Sequence, residues 1–415
     1  MKCRRYGAHP SPAPVGYTAR PESQRLTCWF WVLISHLTSM MTYSLRIWTY
    51  CCGGCRCMVW LSGISVVKAP FRYSISEIVD DVLRDKMDRE VREYAKSQLG
   101  IEYVYKSYDL SKVDFGSEQY VEPHITMDDM YRQAAGVSMC RMDRSNIGML
   151  ITVNDNPQYL DPAPTTGLVP QLSLRQDIRA QNLQGLACSA LPESLLNSAG
   201  HFAMGGKGDV LLIMGSGYTE WFLDRIKQIR NITRRSRGDF YSMIYFLIFS
   251  DAAASAIISP EPDGAQVRID PCHVVVTRSA RPVPAATLKM SPDSRCRVIF
   301  DMSLDPRGLL DDIVRLATKS LTRLQRILTE EIDVFGIHTA GKKFVDSVAE
   351  GCSLDPSKIR MSYDIMSSTG NMGALSSIQF IDECIRQDVI SKDNMGCFID
   401  YGWEGAGAFA FKRIS

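Results

Sequence analysis

The chain has 415 residues, with 47 Lys+Arg against 46 Asp+Glu, 45% hydrophobic residues and 22% charged. That composition supplies enough apolar surface for a large core, which excludes a disordered chain, a collagen-like one and a multi-span membrane protein. The formal net charge of +1 is unevenly placed: residues 1–57 hold seven Lys/Arg and one Glu, so they carry +6 and the remainder carries −5, a balance that argues against nucleic acid as a partner.

The first 57 residues differ in character from the rest of the chain. Residues 8–25 are aperiodic and contain Pro, Arg and Ser, and residues 27–45 form a semi-apolar run that includes His36 and lies between Arg25 and Arg46. A spanning helix needs about 20 predominantly apolar residues, so no membrane span is expected there. Six of the thirteen cysteines fall in this segment. Cys51, Cys52, Cys55 and Cys57 have the number for a four-thiolate metal site but lack the distant second pair that zinc folds use, and no metal is expected. The sparse, odd-numbered cysteines elsewhere read as reduced thiols in a cytoplasmic enzyme. Residues 1–57 are expected to be a weakly ordered N-terminal extension.

From Met58 the pattern is that of a layered α/β protein. Strand-like runs at 58–67, 147–153 and 209–215 alternate with helical patterns. The clearest helix spans 307–328, where Leu309, Leu310, Ile313, Leu316, Ala317, Leu321, Leu324 and Leu328 fall mostly three and four apart and make one apolar face. A second helix is expected over 371–386, after Ser-Ser-Thr-Gly.

Three polar residues stand on turns that lead into helices. Cys188, in GLACSALPESLLNSAG, precedes a helix expected over 189–199; a helix N-terminus stabilises a thiolate, although a buried inert thiol is the alternative. His338 follows the apolar strand IDVFGI, at the carboxyl end where open sheets hold their ligands; a structural histidine is the alternative. Asn371 begins the helix of residues 371–386, as a cap or as an amide donor to a developing oxyanion.

The order Cys188, His338, Asn371, with separations of 150 and 33 residues, resembles the thiolase superfamily, above all its chalcone-synthase-like type III polyketide synthases and ketoacyl-ACP synthase III. GIHTAGKKFVDSV is similar to the family's His-containing strand, turn and helix, and SSTGNMGALSSIQFIDE to its Gly-Asn helix start. LIFSDAAASAIIS resembles the Gly-Asp-Gly-Ala-Ala strand, and YGWEGAGAFAF the C-terminal glycine loop and final strand. The resemblance covers residues 58–415. It departs from the pattern at Ser250 and Ala252, where the family usually has glycines, at Glu404, which interrupts the glycine run, and after Cys188, where the family's glycine is replaced by Ser189-Ala190-Leu191.

The resemblance implies a five-layered αβαβα fold of two similar halves, 58–238 with the nucleophile and 239–415 with the His and Asn, in a homodimer. It implies no cofactor, with CoA or phosphopantetheine thioesters as substrates: an acyl-CoA starter, and malonyl-CoA or an acyl carrier protein. Cys188 as thiolate would take the acyl group. His338 and Asn371 would stabilise the enolate left when a malonyl-type extender loses carbon dioxide, giving a β-ketoacyl product. Candidate substrate contacts are Phe249, in the place of a gatekeeping aromatic, the glycine loop Gly402, Gly405 and Gly407 as an oxyanion donor, and Lys342 and Lys343 for phosphates or an acidic carrier. Arg225, Lys227, Arg230, Arg234, Arg235 and Arg237 form a second basic cluster, or a solvated surface. The alternatives are an acyltransferase that passes the acyl group to an amine or hydroxyl, and a non-catalytic partner subunit of a ketosynthase.

Overall fold

In the computed structural model, residues 58–415 are described apart from 118, 155–162, 280–285, 291–295 and 301–305. The N-terminal extension and the Cys51–Cys57 cluster lie outside the described residues. Fourteen strands are described: β1 (Val59–Lys68), β2 (Phe71–Ser74), β3 (Tyr103–Lys106), β4 (Ile147–Asn154), β5 (Arg179–Leu183), β6 (Asp209–Ser216), β7 (Ala252–Ser259), β8 (Val267–Ile269), β9 (Val274–Arg278), β10 (Ala286–Met290), β11 (Cys296–Phe300), β12 (Val334–Ile337), β13 (Met395–Tyr401) and β14 (Gly405–Arg413). The helices of eight residues or more are α1 (Arg89–Gln98), α2 (Met127–Ser138), α3 (Pro164–Gln171), α4 (Ala190–Ala203), α5 (Tyr218–Gln228), α6 (Arg237–Ile248), α7 (Pro306–Ile327), α8 (Lys342–Gly351), α9 (Arg360–Thr369) and α10 (Ser376–Arg386). The three strand runs read from sequence are β1, β4 and β6, and the long amphipathic helix is α7.

The main sheet runs in the order β12-β13-β14-β8-β1-β7-β6-β4-β5, with β9 on β14. Short β8 joins two wider parts, β5-β4-β6-β7-β1 and β12-β13-β14-β9. Strand β7, from beyond residue 239, lies between β1 and β6, so the first part of the sheet draws on chain from both sides of residue 238.

Strand alternation explains the layers, because successive side chains face opposite sides of a sheet. On β6, Val210, Leu212 and Met214 join one core while Leu211 and Ile213 join another. On β13, Phe398 joins the first of these cores, whereas Cys397, Ile399 and Tyr401 face a third. The shared core lies between the two parts of the sheet and receives α4 and α10, which contact strands of both. Helices α2 and α3 cover the outside of the first part; α7 covers the outside of the second, with α8 against α7. The result is the expected αβαβα stack. In the middle layer α10 buries every residue from Ser376 to Ile381, as a helix with sheet on two sides must.

Both strands that carry the site depend on close approach. A side chain at Gly336, on β12, would place its Cβ 2.3 Å from Phe398 Cδ2 and 2.8 Å from the ring of Phe380. Gly336→Ala is therefore expected to cost about 1–3 kcal/mol through overpacking. Urea unfolding checks this; an unchanged midpoint would show that the Phe398 and Phe380 rings yield freely.

Candidate active site

Cys188 sits in a 3-10 turn, Ala187–Ser189, that runs directly into α4. It is 7% exposed. The turn is held by the Ser189 N–H donating to Leu186 O at 3.1 Å, and the Ser189 hydroxyl donates to Glu404 Oε1 at 2.5 Å. The residue that breaks the glycine run thus ties the nucleophile's turn to the loop between β13 and β14. The Cys188 turn contacts the Gly373–Leu375 turn, which follows Asn371, and strand β13, the neighbour of the strand β12 that leads to His338.

His338 is delivered by β12. That strand pairs in parallel with β13, Ile337 beside Ile399, and the His338 N–H donates to Ile399 O at 3.0 Å. Along β12, Val334 and Gly336 face the middle layer while Phe335 and Ile337 face away, so His338 also turns inward. It is 1% exposed. The Tyr401 hydroxyl donates to its carbonyl at 2.7 Å, and the two rings meet edge to face at 5.2 Å. Burial pushes the imidazole down to about 3, so it is neutral at pH 7.

Asn371 differs from the expectation. The helix begins at Ser376, and Asn371 lies in extended chain five residues earlier. Gly370, at φ +65°, ends α9, and Gly373, at φ +56°, turns the chain again; both values belong to the left-handed region that suits glycine. Between them Asn371 forms a two-residue parallel bridge with Phe249: its N–H donates to Ile248 O at 2.8 Å, and its carbonyl accepts from the Ser250 N–H at 2.8 Å. The Gly373 N–H donates to Asn371 Oδ1 at 2.8 Å, which fixes the amide plane and leaves Nδ2 as the donor on its other edge.

The same bridge accounts for one departure at the Asp251 strand. The Ser250 hydroxyl donates to Thr369 O at 2.6 Å and accepts from the Tyr105 N–H at 2.9 Å, so a side chain in place of glycine is fully used. Asp251 accepts from the Ser107 N–H and hydroxyl and from the Thr219 N–H, a structural role.

Phe249 stacks on Tyr218 at 4.1 Å and on Tyr245 at 5.9 Å, and Tyr245 in turn meets Trp403 of the β13–β14 turn. Gly402 donates its N–H to Gly405 O at 2.9 Å, so that amide closes the turn rather than facing a substrate. At Gly405 a Cβ would lie 2.3 Å from Thr277 O, and at Gly407 it would lie 2.8 Å from Pro192 Cγ of α4; both glycines admit close packing. Lys342 pairs with Asp346 at 2.6 Å, while Lys343 is exposed. In the other basic cluster, Arg225 pairs with Asp239, Arg234 pairs with Glu90, and buried Lys227 donates to Gln119 O, so much of that charge is engaged within the chain.

Asp400 is a site residue that the sequence patterns do not single out. It is 0% exposed and alternates with the outward-facing Ile399 and Tyr401, so it points inward like Phe398. Its Oδ1 is 3.7 Å from His338 Nδ1. Burial, with the charge of Glu404 adding and the Ser377 hydroxyl opposing, raises its carboxyl well above the usual range. The one signal for it in the sequence is an acid at an inward position of the apolar strand MGCFIDY.

Among the described residues, no group of His, Cys, Asp and Glu is arranged to hold a metal, and no helix is long and apolar enough to cross a membrane.

No protein-family model matches the chain. Among solved structures, a variant of Xanthomonas campestris OleA has TM-score 0.67 at 15% identity, covering 85% of this chain and 98% of its own. The C-terminal type III polyketide synthase domain of Steely1 from Dictyostelium has TM-score 0.67 at 17% identity, covering 86% of this chain and 99% of its own. By sequence the chain is 20% identical over 369 residues to polyketide synthase 37 of Dictyostelium discoideum, matching 84% of this chain but only 12% of that protein's length. The fold is the thiolase-like fold, as the sequence resemblance implied.

The His338–Asp400 pair makes a prediction about stability. In the unfolded chain at about pH 5, a histidine holds a proton and an aspartate does not. Burial reverses both in the folded protein. His338, lowered on folding, contributes stability that is lost as pH falls below about 6.5. Asp400, raised on folding, contributes the opposite slope, lost as pH rises from about 3.9, and the two offset each other between these limits. Asp400→Asn should therefore make stability rise with pH between about 4.5 and 6, and His338→Gln should make it fall, each by at most about 1.4 kcal/mol per pH unit. Denaturant midpoints at the two pH values measure this; wild-type slopes in both variants would show that the pair is not titrated by folding.

Proposed function

We propose that the protein is a condensing enzyme that carries out a decarboxylative Claisen condensation, joining an acyl group held on Cys188 to a malonyl-type thioester. The observation that carries this reading is the contact of the Cys188 turn with the Gly373–Leu375 turn, whose Gly373 orients the Asn371 amide, and with β13, whose neighbour β12 leads to a buried neutral imidazole. The similarity to OleA and to the polyketide synthases supports a Claisen-type condensing enzyme at the level of the fold.

Each group's role follows from its surroundings. Cys188, at the N-terminal turn of α4, attacks the acyl-thioester and splits one acyl transfer into two steps. Its thiol proton leaves as the thioester bond breaks and the carrier thiol departs. His338 Nε2–H and the Asn371 Nδ2 amide then donate to the thioester oxygen of the extender. They stabilise the enolate that forms as carbon dioxide leaves, and the enolate carbon attacks the Cys188 acyl group to release the sulfur. A neutral histidine suits this role, because it donates a hydrogen bond without carrying a charge into an apolar site.

The aromatic series Tyr218, Phe249, Tyr245 and Trp403 supports an apolar acyl chain as the starter. Lys343 is the exposed cation near the His338 turn that can meet a CoA or carrier phosphate, while Lys342 is already paired within α8. CoA or phosphopantetheine enters as part of a substrate, with no resident cofactor.

Intact-protein mass after incubation with a panel of acyl-CoAs tests the reading. Wild type is expected to gain an acyl adduct, Cys188→Ala to gain none, and malonyl-CoA to discharge the adduct with release of carbon dioxide. An adduct discharged by an amine or alcohol without malonyl-CoA would instead identify an acyltransferase. No adduct from any acyl-CoA or acyl carrier protein would leave the non-catalytic partner as the reading.

A further inference from the structure

Two buried acceptors, His338 Nδ1 and Asp400 Oδ1, face one another 3.7 Å apart at the site. His338 Nδ1 and both oxygens of Asp400 lack a hydrogen bond of ordinary geometry, although the two residues are 1% and 0% exposed. Buried polar atoms are nearly always satisfied, and leaving one unmade costs about 1–3 kcal/mol. The local backbone does not supply a donor to Nδ1. The His338 N–H is given to Ile399 O, the Ala340 N–H to His338 O, and the Thr339 hydroxyl to Gly370 O. Asp400 Oδ1 lies 3.7 Å away. One proton placed between the two atoms satisfies both, with a closure of about 0.8 Å to ordinary hydrogen-bond length.

We propose that Asp400 is a protonated carboxylic acid that donates its Oδ1–H to His338 Nδ1, fixing the imidazole as the Nε2–H tautomer and so making Asp400 a positioning residue for the His338 and Asn371 donor pair.

The charge environment decides which partner donates. The groups acting on Asp400 are Glu404 from the turn before β14 and Ser377 from α10, and the Tyr401 ring from β13 meets that of His338. Among the described residues no Lys or Arg acts on either member. An ionised Asp400 would face the charge of Glu404 in a dry site without a compensating cation, an arrangement that proteins avoid by neutralising the group. The alternative of an ionised carboxylate accepting from Nδ1–H would also strip Nε2 of its proton. The imidazole would then present an acceptor where the enolate oxygen needs a donor. The register places the two residues together: β12 and β13 run in parallel with Ile337 beside Ile399, so His338, one residue past the end of β12, and Asp400, within β13, lie side by side on the inward face.

The inference deepens the reading of His338 as an enolate donor, but its test does not need the reaction. Nitrogen NMR of the resting protein labelled at histidine, with the His338 signal assigned by its loss in His338→Gln, reads the tautomer directly. Wild type should show a pyridine-type Nδ1 and a pyrrole-type Nε2. Asp400→Asn, whose side-chain NH₂ can donate to the same nitrogen, should keep that pattern. Asp400→Leu, with no donor, should lose it and exchange between tautomers. Malonyl-thioester decarboxylation adds a second readout: Asp400→Asn is expected within about threefold of wild type, and Asp400→Leu lower by about 30-fold, within the range for weakening one oxyanion donor. A wild-type His338 that is protonated on Nδ1, or an Asp400→Leu protein that keeps the Nε2–H tautomer, overturns the proposal. If the tautomer is as stated but no thioester is decarboxylated, the condensing reading has failed and the role of Asp400 stands.

Discussion

Much of the site depends on one short bridge, the pair of backbone hydrogen bonds that Asn371 makes with Ile248 and Ser250. It joins the chain leaving α6 to the chain leaving α9, and it lies where both would otherwise end as loops. Two left-handed glycines, Gly370 and Gly373, release Asn371 from the flanking helices so that the bridge can form. A Cβ at Gly370 would come within 2.6 Å of Ile248 O, the very carbonyl that accepts from Asn371. The same contact has two consequences. Asn371 acquires a fixed backbone from which Gly373 can orient its amide. Phe249, its bridge partner, is fixed as the inner member of the aromatic series that runs through Tyr245 to Trp403. The groups proposed to handle the polar and apolar ends of a substrate are set by one backbone interaction.

The second organising feature is electrical. His338 and Asp400 are fully enclosed, and burial drives each toward its neutral form. A site of neutral donors suits an enolate, because the developing negative charge then meets oriented dipoles and needs no counter-ion moved into place. It also explains why an acid can occupy an inward position on β13 with no Arg or Lys acting on it among the described residues. Glu404 adds a structural tie, since its hydrogen bond from Ser189 couples the position of the β13–β14 turn to that of the nucleophile. Of the glycines expected there, Gly402 uses its N–H to close the turn, and Gly407 lets α4 pack against β14.

The layers were legible in the sequence because hydrophobic alternation and helical spacing are local signals, as in the apolar run of β6 and the leucine face of α7. The spacing of Cys188, His338 and Asn371 was legible only through resemblance, since nothing local distinguishes a reactive thiol from an inert one. The start of α10 was misplaced because Gly370 and Gly373 read equally well as a helix cap and as two separate turns. The Asp400 contact was invisible for a different reason. It depends on the parallel register of β12 and β13, two strands separated by some sixty residues that include the three helices α8, α9 and α10, and register of that kind is not written in either strand alone. The pairing of Arg225, Lys227 and Arg234 was hidden in the same way, because their partners lie elsewhere in the chain.

The central claim is that His338 and Asn371 act as a donor pair distinct from the Cys188 nucleophile. The most direct measurement is carbon dioxide release from malonyl-CoA by Cys188→Gln, alone and combined with Asn371→Ala. Decarboxylation should persist when the thiol is gone and fall by about 100-fold when the amide is removed as well. Release that stops with Cys188→Gln alone, or that is indifferent to Asn371, would contradict the account.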